Sequence, residues 1–151
     1  MQIRIDDLTG PEIQELLTEH LRWMYRVSPP ESVHALDLEK LRRPEITFWT
    51  VWNGPNLAGC AALKRLNAEH GEVKSMRTAD AYQRQGVAAY LLGHLIDEAR
   101  RMGLRRLSLE TGSQPYFEPA RRLYERFSFQ YCRPFEGYVE DPSSVFMTRE
   151  L

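Results

Sequence analysis

The sequence predicts an α/β (α+β) fold: a mixed, mostly antiparallel central sheet with helices on both faces, in the order β-α-α-β-β-β-α-β-α-β-β. Three observations predict it. Residues 47–78 hold three extended apolar segments separated by turn residues. The period then changes, and Val87, Leu91, Leu92, Leu95, Ile96 and Ala99 fall on one helical face. After that helix, short strands alternate with one more helical segment. The 151 residues match one ordinary domain and show no internal repeat, low-complexity tract or linker, so residues 1–151 are expected to form a single domain.

Each element has its own signal. Gln2–Ile5 alternates as a short strand. Asp7 or Thr9 is placed to cap the next helix, Pro11 suits its first turn, and Ile13, Leu16, Leu17, Leu21 and Met24 recur at helical spacing. Pro29-Pro30 breaks the chain. A second helix is expected over Val33–Arg42, closed by Pro44. Thr47–Trp52, Leu57–Leu66 and Glu72–Thr78 read as a strand meander, with Asn53-Gly54 and Ala68–Gly71 as turns. The helix beginning at Val87 ends near Gly103. Leu104–Glu110 is a buried strand. Pro115 or Pro119 opens a helix carrying Ala120, Leu123, Tyr124 and Phe127. Strands near Phe129–Arg133 and Val145–Arg149 flank a loop containing Pro134, Gly137 and Pro142.

Composition excludes several classes. Apolar residues make up 42% and charged residues 27%, as in globular proteins generally. The net charge of −1 lacks the basic excess of a nucleic-acid binder, so no nucleic acid is expected as partner. The cluster Arg100, Arg101, Arg105 and Arg106 reads as a helix end complementing its dipole. Cys60 and Cys132 show no metal spacing and read as reduced core residues of a cytoplasmic protein. The four histidines show no metal spacing either, and no metal is expected. There is no signal-peptide h-region and no membrane-spanning run, so no membrane is expected as partner.

The most informative segment runs from Met76 to Ala88, where a strand ends and a long helix begins. A helix start presents unpaired N–H groups and partial positive charge, which suit phosphate. Gly86 lets the backbone approach a bulky anion. Ala88 keeps the first turn open, and Arg84 adds a cation. The loop is neither GxGxxG nor GxxxxGK[ST].

Glu72–Leu92 resembles motif A of the GCN5-related N-acetyltransferase (GNAT) superfamily: a strand, a Q/R-x-x-G-x-G/A loop and an amphipathic helix. The loop here is Gln83-Arg84-Gln85-Gly86-Val87-Ala88. Ala120–Phe129 resembles the later A-x-x-L-Y-x-x-x-G-F segment of that superfamily. The segments S-V-H-A-L-D-L and S-V-F-M-T-R-E-L resemble a bacterial branch labelled YsnE-like acetyltransferases. The resemblance implies acetyl-CoA as cosubstrate. Met76, Arg77 and Thr78 would bond the pantetheine arm through the backbone. Gln83, Arg84, Gln85, Gly86, Val87 and Ala88 would wrap the pyrophosphate, and Tyr124 would lie near the thioester sulfur. Two positions depart from the pattern: Ser128 stands where Gly is usual, and Phe117 where many relatives carry a cofactor-contacting Asn.

Acetyl transfer to an amine needs a deprotonated amine, a donor for the developing oxyanion and a proton for the leaving thiolate. A strand N–H near Met76 or Arg77 is the candidate oxyanion donor. Tyr124, with an ordinary pKa of about 10, is the candidate acid. Glu72 is the leading base candidate: it lies where the histone-acetylating branch carries its catalytic Glu. Alternation puts it on one strand face with Lys74 and Met76. Glu110 is the second choice, as base or as substrate ligand, and a water chain is a third. His34, Asp37, Trp49 and Lys64 complete the candidate acceptor contacts. The expected acceptor is a primary amine of a small molecule or peptide, attacking directly in a ternary complex of a monomer or homodimer. The competing reading is a non-catalytic acyl-CoA sensor or interaction module on the same fold.

Overall fold

A computed structural model describes residues 1–34 and 37–151. Its sheet has seven strands: β1 (Gln2–Ile5), β2 (Ile46–Asn53), β3 (Asn56–Arg65), β4 (His70–Thr78), β5 (Arg106–Gly112), β6 (Gln130–Cys132) and β7 (Ser144–Glu150). They lie in the order β1-β2-β3-β4-β5-β7-β6. Every pairing is antiparallel except β4 with β5. The mixed, mostly antiparallel sheet is therefore as expected.

The helices are α1 (Pro11–Val27), α2 (Leu38–Leu41), α3 (Val87–Arg101) and α4 (Glu118–Arg126). They cover both faces. Ile13, Leu16 and Leu17 of α1 and Leu41 of α2 bury Phe48, Cys60 and Ala62 on one face. Leu91, Leu92, Leu95 and Ile96 of α3, with Leu123 and Tyr124 of α4, bury Trp49, Val51, Ala61, Leu63 and Val73 on the other. The period-two alternation of β2 and β3 decides which residue joins which layer.

Several local expectations need correction. Neither Asp7 nor Thr9 caps α1. Gly10 holds the cap position, while the Asp7 carboxylate accepts bonds from the Thr9 amide and hydroxyl at 3.1 and 2.6 Å. The expected helix over Val33–Arg42 shrinks to Leu38–Leu41, because Asp37 starts it by accepting a bond from the Lys40 amide at 2.9 Å. The middle of that expected helix, residues 35 and 36, lies outside the described residues. Pro115 opens a 3-10 turn, and Pro119 sits in the first turn of α4. Cys60 is fully buried, but Cys132 is half-buried on edge strand β6 and no core residue. In the arginine cluster, Arg100, Arg101 and Arg106 pair with Asp97, Glu98 and Glu150.

Both long C-terminal helices end in the same motif. At α3, Gly103 (φ 80°) donates to Arg100 O and Leu104 to Ala99 O, both at 3.0 Å. At α4, Ser128 (φ 69°) donates to Glu125 O and Phe129 to Tyr124 O, again at 3.0 Å. The paired bonds across a left-handed residue are those of a Schellman cap. Ser128 thus occupies the conformation that glycine adopts most easily.

Candidate active site

The site begins where the parallel pair β4–β5 comes apart. β4 and β5 are in register only over His70–Glu72 and Arg106–Ser108. Beyond Glu72 the strands diverge, so among the described residues the Val73–Thr78 edge of β4 has no strand partner on that side. Its opposite edge remains paired with β3. The resulting cleft offers backbone donors and acceptors to an extended ligand.

A bulge reshapes β4 inside this cleft. Cys60 faces Arg77 and Ala62 faces Lys74, so Ser75 and Met76 together oppose Ala61. Ser75 adopts φ 54°. The expected sharing of one face by Glu72, Lys74 and Met76 therefore fails. Glu72 and Lys74 stay together, while Met76 packs against the core beneath α3 and α4. There Met76 Sδ receives a contact from the Tyr124 hydroxyl at 3.7 Å.

One end of the cleft opens at the start of α3. Gly86 holds the cap position with φ 81°, and Arg84 precedes it at φ 62°. The first helical bond runs from Tyr90 N to Gly86 O, and no side chain caps Gly86. The N–H groups of Val87, Ala88 and Ala89 are therefore left without intrahelical partners. A Cβ at Gly86 would meet nothing within 4 Å. Gly59 fixes this helix end against the sheet, since a Cβ there would lie 2.9 Å from both Arg77 O and Val87 Cγ1. These features fit a pyrophosphate, as the loop sequence implies.

The other end is a pocket between α1, β4, β5 and the β6–β7 loop, lined among others by His34, Glu72, Lys74, Glu110, Tyr124 and Tyr138. Burial pushes Tyr124 up to about 12, with the Glu110 charge adding to it, so its proton stays on at neutral pH. Burial likewise pushes the Glu110 carboxyl up to about 7. Glu72 is only 3% exposed and already engaged. Its Oε2 accepts the Tyr138 hydroxyl at 2.6 Å and the Lys74 ammonium at 3.0 Å. Lys74 also donates to Tyr138 at 3.1 Å, and burial first, then Glu72, raises the Tyr138 pKa. His34 stands edge-on to Tyr138, ring centroids 5.0 Å apart, and burial lowers its pKa, Lys74 adding to the effect.

The remaining expected acceptor contacts lie elsewhere. Trp49 is buried beneath α3, edge-on to His94 at 5.5 Å, because its place in the β2 alternation turns it from the pocket. Asp37 is exposed and spends its carboxylate on capping α2. Lys64 stands opposite Glu72 on β3 but is not among the pocket-lining residues.

Sequence reasoning missed two pocket members, Tyr138 and His20, and the side-chain role of Arg77. Tyr138 lies in a Pro- and Gly-containing loop that also carries Phe135, and no motif there marks it. His20 also lines the pocket, its pKa held down to about 4 by burial with the Arg77 charge adding. Arg77 acts through its side chain, donating to Tyr116 at 2.8 Å and Asp80 at 3.3 Å, while Tyr116 stacks on Trp23 at 5.4 Å. That network joins α1, β4 and the turn after β5. A bond from Ser32 Oγ to Asp141 Oδ2, at 2.5 Å, ties the β6–β7 loop to the segment after α1.

Known proteins resemble this chain in sequence and in fold. The sequence profile of the Acetyltransferase (GNAT) family matches residues 11–129. The chain is 62% identical over 151 residues, all of both chains, to the Bacillus subtilis (strain 168) protein named "Uncharacterized N-acetyltransferase YsnE". It is 50% identical over 149 residues, 99% of this chain and 94% of the other, to the Escherichia coli (strain K12) protein named "Uncharacterized N-acetyltransferase YedL". A crystal structure of a GNAT family acetyltransferase from Elizabethkingia anophelis with acetyl-CoA bound matches 99% of this chain and 97% of that one. Its TM-score is 0.70 at 18% identity, a likeness of fold.

Proposed function

The chain belongs to the GNAT acetyltransferase family and is an acetyl-CoA-dependent N-acetyltransferase; from that premise we propose that it acetylates a primary amine of a small molecule or peptide by direct attack in a ternary complex. The observation that carries this reading is the meeting of Glu110 and Tyr124 in one pocket at the splay of β4 from β5. One carboxyl titrates near neutrality, and one phenol keeps its proton.

The cofactor supplies a thioester carbonyl open to attack and a thiolate able to leave. The unpaired N–H groups of Val87, Ala88 and Ala89, with Gln83–Gly86, hold its pyrophosphate. The free edge of β4 at Met76–Thr78 bonds its arm and supplies an oxyanion donor. Glu110 takes the proton that the acceptor ammonium must lose. Tyr124 gives its proton to the leaving sulfur. Glu72, the alternative base, already accepts the Tyr138 hydroxyl and the Lys74 ammonium, which occupy the oxygen an incoming amine would need.

The test is release of free thiol from acetyl-CoA across a panel of primary amines. Turnover with at least one amine supports the reading. Thermal stabilisation by CoA with no thiol release from any amine would replace it with a cofactor sensor.

A further inference from the structure

The acceptor pocket already contains a primary amine. Lys74 Nζ sits 3.0 Å from Glu72 Oε2 and 3.1 Å from the Tyr138 hydroxyl, and 5.7 Å from the centroid of the Tyr138 ring. A carboxylate, a hydroxyl and an aromatic face are what an ammonium ligand needs. The Lys74 side chain is only 7% exposed, yet it lines the same pocket as Met76, Glu110 and Tyr124. It stands two residues before Met76, where β4 leaves β5. The chain has three lysines, and the other two contrast with it: Lys40 is exposed, and Lys64 is half-buried and not among the pocket-lining residues.

We propose that Lys74 is a self-acetylation site, taking the acetyl group from the protein's own bound acetyl-CoA. This rests on the acetyltransferase reading above. Lys74 first passes a proton to Glu72, its partner at 3.0 Å. The freed Nζ lone pair attacks the thioester carbonyl. The C–N bond forms and the C–S bond breaks, with no oxidation or reduction. Of the two protons the ammonium loses, one ends on the CoA thiol, by way of Tyr124, and the other passes from Glu72 to solvent. The product is a neutral amide at Lys74. Its loss of charge leaves Glu72 with the Tyr138 bond but no ion pair, so the pocket gains one negative charge and favours a cationic acceptor.

The experiment incubates the full chain with acetyl-CoA and no free amine, then measures intact mass and maps acetyl groups by peptide. The expected result is one acetyl group per chain, stable to hydroxylamine as an amide is, and located at Lys74 ahead of Lys40 and Lys64. Lys74→Arg should lose it. Chemical acetylation by the thioester alone would follow exposure and label Lys40 first, and that order overturns the proposal. So does an unmodified Lys74 in a preparation that releases thiol with an added amine, an outcome that leaves the enzymatic reading intact. Failure of acetyl-CoA to stabilise the chain thermally, with no thiol release, overturns both.

Discussion

The Tyr138 hydroxyl donates a 2.6 Å hydrogen bond to Glu72 Oε2, across 66 residues of sequence. Lys74 donates to the same oxygen. The β6–β7 loop thereby closes over the carboxylate that the strand position alone marks as the base. Glu110, on the neighbouring strand, is left as the carboxyl that titrates near neutral pH.

Glu110→Gln should therefore cost more activity than Glu72→Gln. A general base contributes about 100-fold or more. In the parent protein kcat/KM should rise with pH through about 7 and level off above it, because the base works deprotonated. The Gln variant should lose that rising limb. An unchanged profile in Glu110→Gln would move the role to Glu72 or to water.

The same carboxyl affects stability with a definite sign. Its folded pKa of about 7 lies above the ordinary 4.5, so the folded state holds the proton more tightly. Stability from this group is full below pH 4.5 and is lost as pH rises through about 7. Glu110→Gln should raise the thermal midpoint at pH 8 and change it little at pH 4. Equal shifts at both pH values would show that the carboxyl is not desolvated as described.

Tyr124→Phe removes the proton donor while keeping the ring packed against Phe129, 5.8 Å away. The rate should fall by about 100-fold or more, with CoA-dependent thermal stabilisation retained. Since burial lifts this phenol to about 12, it contributes no falling limb to the pH profile below about pH 11. Full activity in the variant would refute the acid role.

Gly86→Ala adds a methyl group that meets no neighbour in the free protein. The cost at φ 81° is conformational, about 1 kcal/mol. With the pyrophosphate close to the backbone, CoA affinity should drop further than stability does. Isothermal titration would decide, and unchanged affinity would argue that the ligand does not approach Gly86.

Ser128→Gly should stabilise the protein by about 0.5–1 kcal/mol, because the left-handed residue of the α4 cap then carries no Cβ. Denaturant unfolding measures this. A destabilised variant would mean that the exposed Ser128 side chain contributes more than its strain costs.

Some of the site was legible because it is local. The helix start at Gly86 and the loop before it occupy adjacent residues. Tyr124 belongs to a short helical motif, and Ser128 stands out against that motif five residues after Leu123. Strand order was legible because alternation and turn residues repeat every ten residues or so through β2, β3 and β4. The failures are equally specific. The sequence marks Trp49 as a cleft candidate, but one step of register turns it into the core. The sequence marks Asp37 as a ligand candidate, but its carboxylate bonds an amide three residues away.

The sequence by itself determined the layers, the helix start at Gly86 and the family, since each is written in spacings shorter than one element. Only the tertiary structure decided how the candidate base is engaged. The bulge at Ser75 sends Met76 to the opposite face from Lys74, and the splay of β4 from β5 opens the pocket. The β6–β7 loop then brings Tyr138 onto Glu72. Burial and long-range contact set which carboxyl keeps a proton near neutrality, and neither quantity exists until distant segments pack together.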